Sequence, residues 1–159
     1  MEIVLKTILY LYPSFNIMID GFEKLAEYKA ISSFGNCAKT LKQMQEIIMI
    51  NSQKARVIQL KDIAENLLGE LSIKERMLIE YKYFKYKMPE GFDYNSRNYF
   101  RAQIRVFNKL VKKMNERGYD QDWFESNFLD IFVLDNKYKK LKRLKESGAT
   151  KNCATEAWV

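Results

Sequence analysis

The sequence predicts an all-α protein, a multi-helix bundle whose C-terminal half is helix-turn-helix-like. Apolar residues recur at steps of three and four, the spacing that gathers them on one side of a helix. Two-residue alternation and hairpin turn dipeptides are almost absent, so strands are not expected. Hydrophobic side chains make up 47% of the 159 residues, enough to bury a core.

The first helix is expected over about 2–12, stopping ahead of Pro13 because proline pushes the preceding residue out of helical geometry. Ser14 is placed to cap the second helix, which runs to about Ser32 with Phe15, Ile19, Phe22, Leu25 or Ala26, and Ile31 as its buried stripe. Ser33 to Asn36 form the turn. From Cys37 to Leu68 there is no proline or glycine. Leu41, Met44, Ile48, Ala55, Ile58, Ile63 and Leu67 keep helical spacing there, either through one long helix or through two broken at Asn51 and Ser52, with Gly69 as the terminal cap.

Ser72-Ile73-Lys74-Glu75 fits the capping box S-x-x-E, in which serine oxygen and glutamate carboxylate each accept from a backbone N–H that the first helical turn leaves without a partner. The helix that follows directs Met77, Leu78, Tyr81 and Phe84 inward and ends before Pro89. Tyr81, Tyr83, Phe84 and Tyr86 are too close together to face inward at once, which leaves Tyr83 or Tyr86 for the surface. Lys87 to Asn95 reads as a loop, with Met88 beside it, and Ser96 caps a helix that runs to about Arg117 and stops at Gly118. Asp120 or Asp122 caps a short helix holding Trp123, Phe124 and Phe128. A last helix covers about 130–145, and residues from Ser147 onward lack periodicity and read as a tail. The chain thus divides into a neutral helical region (1–70), a second helical module (71–118), basic C-terminal helices (119–146) and the tail (147–159).

Composition excludes much chemistry. With no histidine in the chain, Ser-His-Asp and Cys-His catalysis and His-ligated metals fall away. The six glycines never cluster, so no phosphate-cradling loop can be drawn. Cys37 and Cys153 are too sparse for a disulfide framework or a zinc site. We expect no enzyme, no metal and no cofactor. The opening segment, interrupted by Lys6, is short for a membrane span and lacks a cleavage site, so a cytoplasmic location without a membrane is expected.

Charge is distributed unevenly. Residues 1–70 hold eight basic and eight acidic side chains, and residues 71–159 hold nineteen and twelve, so the entire net charge of +7 lies in the second part. That asymmetry suits a polyanionic partner. Between Ser96 and Arg117 the apolar residues Phe100, Ile104, Phe107, Val111 and Met114 step by four, three, four and three, forming a seam expected to face the core. Beside it Arg97, Arg101, Arg105, Lys109 and Lys113 recur every four residues, a step that advances about 40° around the helix, and Lys112 adds to them. Asn98 offers an amide near the N-terminal end. Cations in a first helical turn oppose the helix dipole, by about 0.3–1 kcal/mol each, so their presence there asks for a use. Lys137, Lys139, Lys140, Lys142 and Arg143 form a second cluster that would add phosphate contacts.

Leu71-Ser72-Ile73-Lys74-Glu75-Arg76, then Ile79 and Tyr81-Lys82-Tyr83-Phe84, resembles the opening of region 4 of sigma-70-family transcription factors. Ser96-Arg97-Asn98-Tyr99-Phe100-Arg101 resembles the start of that region's recognition helix. The resemblance covers residues 71–117, and the same residues are similar to uncharacterised Firmicutes proteins carrying Y-K-Y-F…S-R-x-Y-F-R. It implies a bacterial DNA-binding regulator of transcription, with Arg97, Asn98, Arg101 and Arg105 toward the groove and Lys109, Lys112 and Lys113 on phosphate. The chain departs from region 4 between Lys85 and Asn95, where the family's short intermediate helix is truncated or absent. The competing expectation is a protein-interaction module that meets RNA polymerase or a nucleoprotein effector such as a CRISPR nuclease.

Overall fold

The computed structural model describes residues 1–32, 37–86 and 97–147, with the side chains of 37–39 left aside. The described residues are all-α, a multi-helix arrangement of seven α-helices: α1 (Glu2–Leu11), α2 (Phe15–Ser32), α3 (Cys37–Gly69), α4 (Ile73–Phe84), α5 (Arg97–Glu116), α6 (Gln121–Phe128) and α7 (Phe132–Glu146). They form two compact units, one of residues 1–10 with 93–159 and one of residues 11–92. These boundaries differ from the charge-based segments: α1 belongs with the C-terminal helices, and α4 with α2 and α3. The expected turn at Ser33–Asn36, the loop with Met88, the Ser96 cap and the tail beyond Ser147 lie outside the described residues.

In the unit of residues 11–92, Pro13 sits in a single 3-10 turn, Tyr12–Ser14, that leads into α2. Phe15 is already in right-handed helical geometry and its N–H donates to the Tyr12 carbonyl. The backbone therefore has no extended cap position for Ser14 to fill. α2 packs on α3. Lys29 pairs with Glu46, and Lys54 with Glu23 at 3.1 Å. Only Phe15 of the expected α2 stripe is fully buried; Ile19, Phe22 and Ala26 are half-buried, while Leu25 and Ile31 are exposed.

α3 passes through Asn51 and Ser52 without a break. Its core residues are Ile50, Val57, Leu60, Ile63, Ala64, Leu67 and Leu68, whereas Leu41, Met44, Ile48, Ala55 and Ile58 face solvent. The apolar pattern of the sequence thus coincides with burial only toward the helix's C-terminal end, at Ile63 and Leu67. Gly69 is the last helical residue and does not take a left-handed φ. The capping box forms as expected: Ser72 Oγ accepts from the Glu75 N–H at 3.4 Å, and Glu75 Oε2 accepts from the Ser72 N–H at 2.9 Å. α4 buries Leu78, Ile79, Tyr83 and Phe84; Met77 and Tyr86 are exposed. Phe84 stacks on Tyr12 with centroids 5.0 Å apart.

In the other unit, α1 buries Val4, Leu5, Ile8 and Leu9, and Thr7 Oγ1 donates to the Ile3 carbonyl. The stretch Glu2–Ser32 is long and apolar enough to cross a membrane by length and composition. A core helix of a soluble protein has the same length and composition, and 33% of that apolar window is buried. Lys6 Nζ lies 5.6 Å from the Phe107 ring centroid on α5, and Lys137 Nζ lies 4.2 Å from the Tyr10 ring, so α1 touches both α5 and α7. Asp120, not Asp122, caps α6 by accepting from the Trp123 N–H at 2.7 Å. Phe124 stacks on Phe128 and packs against Tyr138, all three essentially inaccessible.

Candidate nucleic-acid interface

α5 ends in a glycine cap. Gly118 takes φ +74°, its N–H donates to the Asn115 carbonyl and the Tyr119 N–H to the Met114 carbonyl, the paired bonds that close a helix when a residue without a Cβ turns left-handed. This fixes where α5 stops. Its rotation is set by what it buries.

The buried line is Tyr99, Gln103, Val106, Leu110 and Met114. The seam expected from the sequence shares only Met114 with it. Phe100 and Ile104 are 39% and 60% exposed, and Phe107 and Val111 are half-buried. The difference has an identifiable cause: Gln103 is polar, yet its Nε2 donates to the Tyr99 hydroxyl at 3.3 Å inside the core. A buried amide with a partner avoids the desolvation cost that makes a polar residue look like a surface residue. α5 therefore sits turned relative to its most continuously apolar seam.

That rotation decides which charges face out. At 100° per residue, Arg101 lies about 180° around from Leu110. Arg97, Arg101, Arg105 and Lys112 are exposed, as is Asn98. Lys109 is also exposed, but four-residue steps carry the stripe steadily toward the core margin, where Lys113 is half-buried. The five-residue stripe is therefore not one flat face. The outward line is instead Arg101, Arg105, Asn108 and Lys112, spaced four, three and four, with Arg97 at its head. Arg101, Ile104, Arg105 and Asn108 line a shallow depression on it. Asn108 was legible from that alternation of steps. Ile104 was hidden by its own hydrophobicity.

Electrostatically the helix is one-sided. α5 carries six basic side chains and one acidic, Glu116, which lies 3.8 Å from Lys112 at the far end. The second cluster is more committed to its own surroundings. Lys137 covers the Tyr10 ring, Lys139 pairs with Asp135 at 2.7 Å, and Lys142 lies 3.8 Å from Glu125. Lys140 and Arg143 are exposed and, with Asn136, Lys139, Leu144 and Ser147, line a second shallow depression. Glu125 is a local hub. It accepts from the Tyr138 hydroxyl and from Gln121, and these bonds, Tyr138's first, hold its carboxyl below the usual glutamate range. Among the described residues no acidic or cysteine side chains converge to hold a metal ion.

Fold and surface together define a class: an all-α protein that presents a one-sided basic helix with arginines and an asparagine on its outward line and an isoleucine beside it. The chain matches no protein-family model, no curated protein and no solved structure.

Proposed function

We propose that this chain binds nucleic acid, DNA foremost, through the outward line of α5. Supporting that reading is the exposure of Arg97, Arg101 and Arg105 along a helix whose single carboxylate lies at its other end. Guanidinium groups spaced along one helical face suit successive phosphates, and Asn98 and Asn108 supply amides that both donate to and accept from base edges. Lys140 and Arg143 would lengthen the footprint, and Lys109, Lys112 and Lys113 its flank. The similarity of residues 71–117 to sigma region 4 makes transcription regulation the role to test first, although the segment joining α4 to α5 lies outside the described residues. A second reading, a module that meets RNA polymerase or a nucleoprotein effector, is favoured by the exposure of Phe100 and Ile104 beside the arginines.

The test is a titration of labelled duplex DNA and of RNA with the wild-type chain and with Arg101→Glu plus Arg105→Glu. Three arginine–phosphate contacts give a log–log salt slope of about −2.7, or roughly fortyfold weaker binding between about 50 and 200 mM salt. The charge-reversed variant should lose binding at both. Absence of wild-type binding to either nucleic acid at the lower salt refutes the proposal and leaves the protein-partner reading.

A further inference from the structure

α2 carries apolar side chains on two sides, and α3 covers only one of them. Phe15, Phe22 and Ala26 face α3, flanked by the Glu23–Lys54 and Lys29–Glu46 pairs. On the far side Ile17, Tyr28 and Ile31 are 74%, 70% and 72% exposed. With Gly21 and Lys24 these fall within an arc of about 80°, one stripe along the helix. Leu25, 44% exposed, lies at its border. A soluble helix with one covered face and one apolar uncovered face has an interface to offer.

We infer that this stripe is a two-fold interface with a second copy of the same chain, α2 lying antiparallel on α2. The stripe is its own complement. Turned about a two-fold axis near Lys24, Ile17 of one copy comes opposite Ile31 of the other, and Tyr28 comes within one residue of Gly21. At Gly21 an added Cβ would meet nothing within 4 Å, so the backbone there is an open notch able to take a ring. Charge follows the same symmetry. Each Lys24 comes within one helical turn of Glu27 and Asp20 of the other copy, all of them exposed, so the two lysines that meet at the axis are neutralised across it. The outward residues of α3, Leu41, Met44 and Ile48, lie on the opposite edge of the helix pair and have no such notch.

The size of the patch sets the strength. With these exposures Ile17, Leu25, Tyr28 and Ile31 leave roughly 300 Å² of apolar side chain for burial per copy. Doubled over two copies this is about 600 Å² of apolar surface, below the standard size of a specific interface, so the contact is a weak, transient one that fills at the upper end of the concentrations tested.

Sedimentation velocity of the full chain across low to high micromolar concentration tests this. The wild type should rise from the 18.9 kDa of one chain to twice that mass. Gly21→Gln, whose added Cβ meets nothing within 4 Å in its own chain, puts a side chain into the notch and should stay at one chain's mass while its helical circular dichroism and thermal melt hold or improve. Lys24→Glu should also remain single, and Lys24→Glu with Glu27→Lys should restore the doubled mass. Leu41→Lys with Ile48→Lys should dimerise like the wild type. The inference is overturned if the wild type stays single at every concentration, whether or not it then floats with phosphatidylcholine vesicles. It is also overturned if Gly21→Gln dimerises normally, or if the α3 pair rather than Gly21→Gln abolishes the dimer.

Discussion

Replacing Leu110 by alanine and Ile104 by lysine separates the two ways in which α5 can be seated. Leu110 is fully buried. Truncating such a leucine removes its transfer free energy and leaves a cavity, costing about 2.7–5 kcal/mol. In a chain of this size that lowers the thermal midpoint by roughly 6–15 °C. Ile104 keeps 40% of its surface covered, since 60% is exposed. Full burial of an isoleucine is worth about 1.5–3 kcal/mol, so losing that covered part costs about 0.6–1.2 kcal/mol. A lysine stem recovers some of the contact, and lysine is the better helix former, which brings the net loss below about 1 kcal/mol. Had Ile104 faced the core, an unpaired ammonium there would cost several kcal/mol. Urea denaturation followed by the fluorescence of Trp123, with Trp158 replaced by phenylalanine in every chain compared, reads the unit that contains α5, and an unchanged m-value keeps the comparison valid. Equal destabilisation by the two substitutions, or a loss below about 1 kcal/mol for Leu110→Ala, would refute the observed rotation of α5 and with it the outward line.

Two further outcomes follow from contacts away from that face. Ser72→Ala removes one half of the capping box and should cost about 1 kcal/mol in urea, with Ser72→Asp recovering most of it; equal stability of all three chains would mean the box contributes nothing. The hydrogen bonds on Glu125 hold its carboxyl below its ordinary 4.5. Their stabilisation is therefore present above that pH and is lost as pH falls through the lower folded value. The Tyr138 hydroxyl, held neutral by burial and then by Glu125, is raised from its ordinary 10.0, so its contribution is present below pH 10.0 and fades as pH climbs beyond it. Tyr138→Phe should therefore melt below the wild type near neutrality, and the gap should narrow in acid; parallel melting curves from neutral pH to below Glu125's range would refute the linkage.

What could be read from the sequence depended on whether one signal or two were present at a position. α4 was legible at its start because the box at Ser72 and Glu75 is satisfied within four residues and needs no distant partner. α6 was legible for the same reason, although two aspartates competed for its cap and only the geometry at Trp123 chose Asp120. α2 and α3 were legible as helices but not in their facing, because each carries apolar residues on more than one side and periodicity cannot say which side a neighbour will cover. Periodicity and burial agree at Ile63 and Leu67, where α3 is most deeply buried, and part at Leu41, Met44 and Ile48, where α2 covers only the other side.

α5 failed for a different reason, and that failure bears directly on function. A seam through Phe100, Ile104 and Phe107 is apolar at every step, whereas the true seam is interrupted by Gln103, whose amide is acceptable in the core only because Tyr99 supplies a partner. Reading hydrophobicity as burial thus hides two apolar residues, Phe100 and Ile104, among the arginines and passes over Asn108 between Arg105 and Lys112. A helix with arginines alone on its outward line would hold a phosphate chain without reading anything beside it. Ile104 and Asn108 set among those arginines give the face apolar and amide contacts as well, the kinds of contact that distinguish one base edge, or one protein surface, from another.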